Sequence, residues 1–516
     1  MNDSTRQKLL RRKRRIQRRL RPRKFRSRNS PVLAARNIRY DIAERTRAIG
    51  CGGIGAVHLL ARKVGLIDAI DREVHLLKVH LPYHESDHVL NIAYNVMCGG
   101  RCLEDIELLR NDEAYLDALG AARIPDPTTA GDFCRRFRSA DDVNGLQDAI
   151  NLARAGVWRI QPPEFFQQAT IDADGTLAAT DGCCKQGMDI SYNGIWGYHP
   201  LLVSLANTKE PLYLLNRPGN RPSHEDAAAY LDKAIGLTLG AGFKSVRMRG
   251  DTDFSQTAHL DRWDARGNVT FLFGLDAMAH LKLQAEALDA DHWSELKRPP
   301  RYEVATTERA RPDNVKQRVI AERGFEHMRL RCEHVAGIDY QPVKCKKPYR
   351  LIICRKTIDV EVHQQRLWQE YRYFFFITND RTTPAGQLVL EANGRCDQEN
   401  LIEQLKNGVH AMKLPAADLA GNWAYMVMAG LAWSLKAWWG LMLPEAQGRG
   451  RAKEIRKAHK RAVVTMEFRS FVAAVVRLPA QILRTGRRLV YRLLSYSSWQ
   501  EPLLAAVAAW RTRAQR

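Results

Sequence analysis

The chain has 516 residues, of which 45% are hydrophobic, and a formal charge of +23 with a pI near 9.7. That is the composition of a globular protein with room for roughly three domains and a large core. The basic excess points to a polyanionic partner; because basic residues recur along the whole chain, DNA fits better than a membrane surface.

Further classes fall away on local pattern. The ten cysteines form no CxxC pair, and no His/Cys cluster has zinc spacing, so reduced thiols are expected and a zinc site is not. The N-terminus lacks the apolar run of a secretion signal. The most apolar stretch, 419–435, is short for a membrane span and contains Asn422, so a buried helix is expected there.

Residues 1–30 form a basic arm, with 14 Lys or Arg up to position 28 against one acid, Asp3. Such a run cannot bury a core and is expected to be disordered alone. Arg11, Arg12, Lys13, Arg14 and Arg15 would bind phosphate as the arm orders on DNA; a solubilising tail is the plainer alternative. Residues 31–165 read mainly as helices, with apolar residues at helical spacing in VHLLARKVGLIDAIDREV and HVLNIAYNVMCGG. Pro127 blocks a preceding helix, and Thr129 with Asp132 suits a capping box. The helix so begun is expected to carry Arg135, Arg136 and Arg138. A positive helix N-terminus with arginines fits DNA contact, and a packing helix fits equally well.

From 166 the pattern changes to strands. Segments 168–173, 198–206 and 210–216 read as three strands, and Ser223 with Asp226 suits the cap of a helix. A strand at 244–249, a helix from about Ser255 and a strand at 268–274 follow. The order β-β-β-α-β-α-β over 166–299 suits a ribonuclease H-like core, in which the first and fourth strands are neighbours. Residues 300–380 interrupt that core with a β-rich insertion, and 381–445 return to it. Residues 446–516 read as a basic helical C-terminal region. The fold class expected is thus α+β or α/β, with helical regions at both ends.

Residues 394–410, GRCDQENLIEQLKNGVH, read as a helix. At about 100° per residue, Glu399 falls about 40° and Lys406 about 20° from Arg395. The three share one face, while Leu401, Leu405 and Val409 turn elsewhere. IDADGT (171–176) and SVRMRGDTDF (245–254) each place an aspartate at the end of a strand, where a ligand can reach it. Two strand-end aspartates and a helical glutamate make a hard, all-oxygen set suited to Mg²⁺ or Mn²⁺. The task such a set serves best is phosphoryl transfer through a metal pair. Asp172 and Asp174 lie on the same face of a strand, so spacing alone leaves open which of them acts. Asp253 is the corresponding rival of Asp251.

The order Asp, Asp, Arg-x3-Glu-x6-Lys resembles the DDE transposases of bacterial insertion sequences. Within them it is similar to the group with a Tyr-x2-Arg-x3-Glu-x6-Lys signature, and most nearly to the IS thirteen-eighty family. The matching pieces are DADGT (172–176), GYHPLLV (197–203), NRPGNRPS (216–223), RGDTDF (249–254) and NGRCDQENLIEQLKNGVHAMKLP (393–415). Ala392 stands at the signature tyrosine position.

The resemblance implies catalytic and metal-binding roles for Asp174, Asp251 and Glu399. Asp174 is favoured over Asp172 because Gly175 and Thr176 follow it. Two Mg²⁺ or Mn²⁺ ions are implied, with Arg395 and Lys406 holding DNA phosphate and residues 31–165 binding element ends. The expected activity is cleavage at the terminal inverted repeats of an insertion sequence and joining of the 3′-OH ends to target DNA. The enzyme would act as a homodimer or higher oligomer, in the bacterial cytoplasm at the nucleoid and without a membrane partner. A ribonuclease H-like nuclease without strand transfer is a second reading, and an inactive end-binding remnant a third. Trp196 and His199, as strand residues, read as packing.

Overall fold

Alternating and continuous apolar runs build five central strands: β1 (Gln168–Gly175), β2 (Leu201–Leu205), β3 (Glu210–Leu215), β4 (Ser245–Gly250) and β5 (Val269–Leu275). β2 and β3 are buried at every position, including Ser204 and Glu210, whose polar groups find partners inside the fold. In this computed structural model, which describes residues 3–21, 35, 38–299, 327–362, 365–444, 450–486 and 488–511, β1 pairs antiparallel with β2 and parallel with β4. β4 in turn pairs parallel with β5, and β2 antiparallel with β3. The first and fourth strands are therefore neighbours. Residues 300–326 of the insertion, 446–449 of the C-terminal region and 22–30 of the arm lie outside the described residues.

The insertion extends this sheet. β6 (Ser294–Glu295), β7 (His327–Tyr340), β8 (Tyr349–Val362) and β9 (Gln365–Thr378) form antiparallel ladders. The end of β9 then pairs with β5, from Phe375 opposite Leu275 to Thr378 opposite Leu272. The result is one mixed sheet of nine strands, in the order β6-β7-β8-β9-β5-β4-β1-β2-β3.

Behind β3 lies the helix Leu419–Leu441, buried at every residue from Gly421 onward. Asp418 caps it by accepting the Gly421 amide at 2.6 Å. It packs on the helices Glu85–Cys98 and Ala140–Arg159 as well as on β3. Its tryptophans end on acceptors: the Trp433 indole donates to the Lys209 carbonyl at 2.6 Å and Trp438 to Glu210 Oε1 at 2.7 Å. Glu210 also pairs with the buried Arg154 at 3.0 Å, so helix 140–159, β3 and helix 419–441 share one satisfied polar centre. No helix among the described residues is long and apolar enough to cross a membrane.

Four sequence expectations need revision. The arm contains a helix, Asp3–Leu20, because Arg, Lys, Leu and Gln all favour helix and the first breaker is Pro22. The helix in the 127–134 region starts with Pro127 as its first residue and is capped by Asp126, whose carboxylate accepts the Thr129 amide at 2.9 Å. It ends at Cys134, so Arg135, Arg136 and Arg138 lie in the turn before helix Ala140–Arg159 and not on the helix. The strand expected at 198–206 is shortened to β2, and Trp196–Tyr198 belongs instead to a small sheet with Ala178–Ala179 and Asp189–Ile190. The C-terminal region is also only partly helical. Ala480–Thr485 and Arg488–Leu493 form a hairpin to which Ala48–Ile49 adds a third strand. The apolar/basic alternation of QILRTGRRLVYRL has a period of two, with Gly486 at φ 53° in the turn.

Candidate active site

Register between two parallel strands sets the site. Asp172 on β1 lies opposite Arg249 on β4. Asp174 and Asp251 each follow two residues later, so side-chain alternation returns both to the same face at adjacent strand ends. Asp172 is spent on Arg249: Oδ1 accepts from Nε and Oδ2 from Nη2, each at 2.7 Å. The Asp172 side chain is 1% exposed, against 13% for Asp174 and 35% for Asp251. Asp251 opens a short 3₁₀ turn, where its Oδ1 accepts the Asp253 amide at 3.0 Å.

Arg395 joins the two aspartates. Its Nη1 stands 2.8 Å from Asp174 Oδ2 and 4.0 Å from Asp251 Oδ2. Burial pushes the Asp174 carboxyl up to about 7; the charges of Asp251 and Glu399 add to this, and Arg395 opposes it. Burial also raises Asp251, with Asp253 adding and Arg395 opposing. Glu399 is exposed on its helix, yet its charge is felt at Asp174.

The residue beside Glu399 anchors that helix. Gln398 is 2% exposed, accepts from Ser204 Oγ and donates Nε2 to the Leu202 carbonyl at 3.3 Å. Leu202 is the cross-strand partner of Asp174. Glu399 is thus carried by a helix fastened to the strand next to the aspartates.

The single helix expected over 394–410 is broken into parts. Ala385–Asn393 is one helix, Cys396–Glu403 a second, and Gln404–Gly408 a π-helical turn. Arg395 therefore sits at a joint, and the wider π turn moves Lys406 off the angle calculated for a regular helix. Lys406 is half-buried, and burial lowers its pKa. Ala392 closes the first helix and packs against the cluster of Leu272, Leu388 and Val389.

A loop invisible to spacing arguments completes the surroundings. Buried Arg217 donates to the carbonyls of His199 at 2.9 Å, Ser223 at 3.0 Å and Glu225 at 2.7 Å, which shapes the NRPGNRPS segment. His199 Nδ1 lies 2.8 Å from the Arg221 carbonyl, and its Nε2 faces Gly175 so closely that an added Cβ there would lie 2.9 Å away. Burial lowers the His199 pKa, and the approach of the ring to Gly175 sets it at the end of the strand that carries Asp174. In the sequence His199 reads as packing, and only its place in GYHPLLV marks it. Trp196 is 54% exposed, which does not fit packing.

Among the outlying basic residues, Arg12 donates to the Leu493 carbonyl at 2.7 Å, while Arg11, Lys13, Arg14 and Arg15 are exposed. Arg135, Arg136 and Arg138 are exposed too, with Arg135 paired to Asp132. Among the described residues no hydrogen bond or ion pair links them to the carboxylates.

Among the described residues, no group of three His, Cys, Asp or Glu is gathered tightly enough to enclose a metal ion. The donor chemistry nevertheless suits a hard cation. Two carboxylates stand at the adjacent strand ends, and a guanidinium already stands in as the positive charge between them.

No curated protein matches the chain. Among solved structures it is similar to piggyBac transposase in its synaptic complex with hairpin DNA, at 10% identity over 83% of each chain and a TM-score of 0.34. The family model described as transposase DDE domain group 1 matches residues 46–514, nearly the whole chain. The chain therefore belongs to the DDE-domain transposases of group 1 and is a DNA transposase.

Proposed function

We propose that this transposase binds the terminal inverted repeats of an insertion sequence of the IS thirteen-eighty type, cuts DNA at the element ends and joins the 3′-OH ends to target DNA. The observation that carries this reading is the convergence of Asp174 and Asp251 on one cation, the Arg395 guanidinium, at adjacent strand ends. The strand order β3-β2-β1-β4-β5, with its antiparallel and parallel halves, supports a ribonuclease H-like core.

In this reading Asp174, Asp251 and Glu399 hold two Mg²⁺ or Mn²⁺ ions. When bound, the ions would supply Lewis acidity to the attacking and leaving oxygens. Arg395 and Lys406 hold the phosphodiester on either side of Glu399. In the first step water attacks phosphorus, the P–O3′ bond breaks, and the 3′ oxygen leaves as a hydroxyl. In the second that hydroxyl attacks a target phosphodiester and one P–O bond replaces another, so no energy source is required. The basic helix Asp3–Leu20 and Arg135, Arg136 and Arg138 add sequence-independent phosphate contacts. The enzyme works as a homodimer or larger assembly on DNA, at the bacterial nucleoid.

The test uses Asp174→Asn, Asp251→Asn and Glu399→Gln with end DNA, Mg²⁺ and a target plasmid. Each variant should bind the ends about as well as the parent and neither nick nor join them. Cleavage without joining by the parent would mark a nuclease, and binding with neither activity a remnant. Full activity in Asp251→Asn would overturn the triad.

A further inference from the structure

One nitrogen of Arg395 lies within 4.0 Å of both aspartates, at the place a cation shared by them would take. Among the described residues three neighbouring acids are engaged elsewhere: Asp397 pairs with Lys209 at 3.1 Å, Glu391 with Arg247 at 2.6 Å, and Asp172 with Arg249. The residue stands at the joint between two helices, directly after Gly394, with 21% of its side chain exposed. It can therefore turn outward without unwinding either helix. A guanidinium and a divalent ion cannot share this position, because like charges a few ångströms apart repel strongly in a half-buried site.

We propose that in the DNA-free enzyme Arg395 occupies the cation position between Asp174 and Asp251, and yields it to a divalent ion when a DNA phosphate draws the guanidinium away. The inference rests on the reading of Asp174 and Asp251 as metal ligands and adds a second role to Arg395. Its consequence is a thermodynamic link: the ion binds weakly until DNA arrives, and DNA binding and ion binding strengthen one another by the same factor. The phosphate that recruits Arg395 thus empties the place where the ion is needed.

The experiment titrates Mn²⁺ into full-length, DNA-free protein and reads free Mn²⁺ by electron paramagnetic resonance. Parent, Arg395→Gln, Arg395→Lys, Asp174→Asn and Asp251→Asn are compared, first alone and then with a pre-cut end duplex and no target. Arg395→Gln should bind Mn²⁺ at least about tenfold tighter than the parent without DNA, with Arg395→Lys between them. With the duplex, the parent should tighten until the gap is under about threefold. Equal or weaker binding by Arg395→Gln without DNA overturns the proposal, as does a gap that DNA leaves unchanged. The aspartate variants separate the two readings. If they bind Mn²⁺ like the parent, the ligand assignment fails; if they lose it while Arg395→Gln matches the parent, only the displacement fails.

Discussion

Asp172 and Arg249 hold each other through two hydrogen bonds of 2.7 Å, one alternation step below Asp174 and Asp251. The pair staples β1 to β4 beneath the site, so its loss should appear in stability. Arg249→Met leaves a buried carboxylate without its partner and should cost roughly 3–5 kcal/mol in urea unfolding. Asp172→Asn should lose less and still cleave end DNA while folded. An Asp172→Asn protein with a parental melting profile and no cleavage would make Asp172, and not Asp174, the metal ligand.

Asp174 ties stability to pH. Its carboxyl moves from the ordinary 3.8 to about 7 on folding, so the native state holds the proton more tightly. Folding then takes up a proton between those values, and stability falls as pH rises through the window. Asp174→Asn cannot ionise and should escape that loss. In chelator, its melting temperature should exceed the parent's by roughly a few degrees near pH 8 and by less than half as much near pH 5, where most of the window still lies above. A difference that does not change with pH would contradict this account.

Gln398 sets where Glu399 sits, through its bonds to Ser204 and to the Leu202 carbonyl. Gln398→Leu fills similar volume and removes both bonds. Cleavage rate should fall roughly 10–100-fold with end binding retained, as expected when a reacting group is slightly misplaced. Unchanged cleavage would mean that packing of Leu401 and Leu405 positions the helix without it.

Removing residues 1–21 takes away a row of exposed Arg and Lys. Binding to any duplex should weaken, and the plot of log K against log salt should flatten by about one unit for each phosphate no longer neutralised. Preference for element ends over random duplex should persist. An unaltered slope would show that the helix serves only its contacts, such as those of Arg12 with the carbonyls of Leu493 and Ser495.

How much of this could be seen in advance follows from the range of each interaction. Period-two alternation exposed β1 and β4, because that signal is local, whereas spacing left Asp172 and Asp253 as rivals and only the family resemblance favoured Asp174, Asp251 and Glu399. Arg249 gave no hint of its role, since its partner lies 77 positions away. The π turn at Gln404–Gly408 has no residue signature, so the angle calculated for Lys406 does not hold. His199 and Arg217 owe their positions to a loop folded over β1, and only tertiary contacts reveal such a loop.

The two ends of the chain are sewn together. Ala48–Ile49 pairs with Ala480–Thr485, the amides of Gly52 and Gly53 donate to the carbonyls of Leu478 and Val476, and Arg12 reaches Leu493 across 481 positions. A ribosome releases these partners as much as 481 positions apart. The helical region made first must wait, with its docking edge open, until the strand Ala480–Thr485 has been made. Contacts of such separation close slowly and leave unfinished surfaces exposed meanwhile. A chain cut short before Ala480 should therefore be a sticky, chaperone-dependent fragment, because the edge at Ala48–Ile49 loses its partner strand.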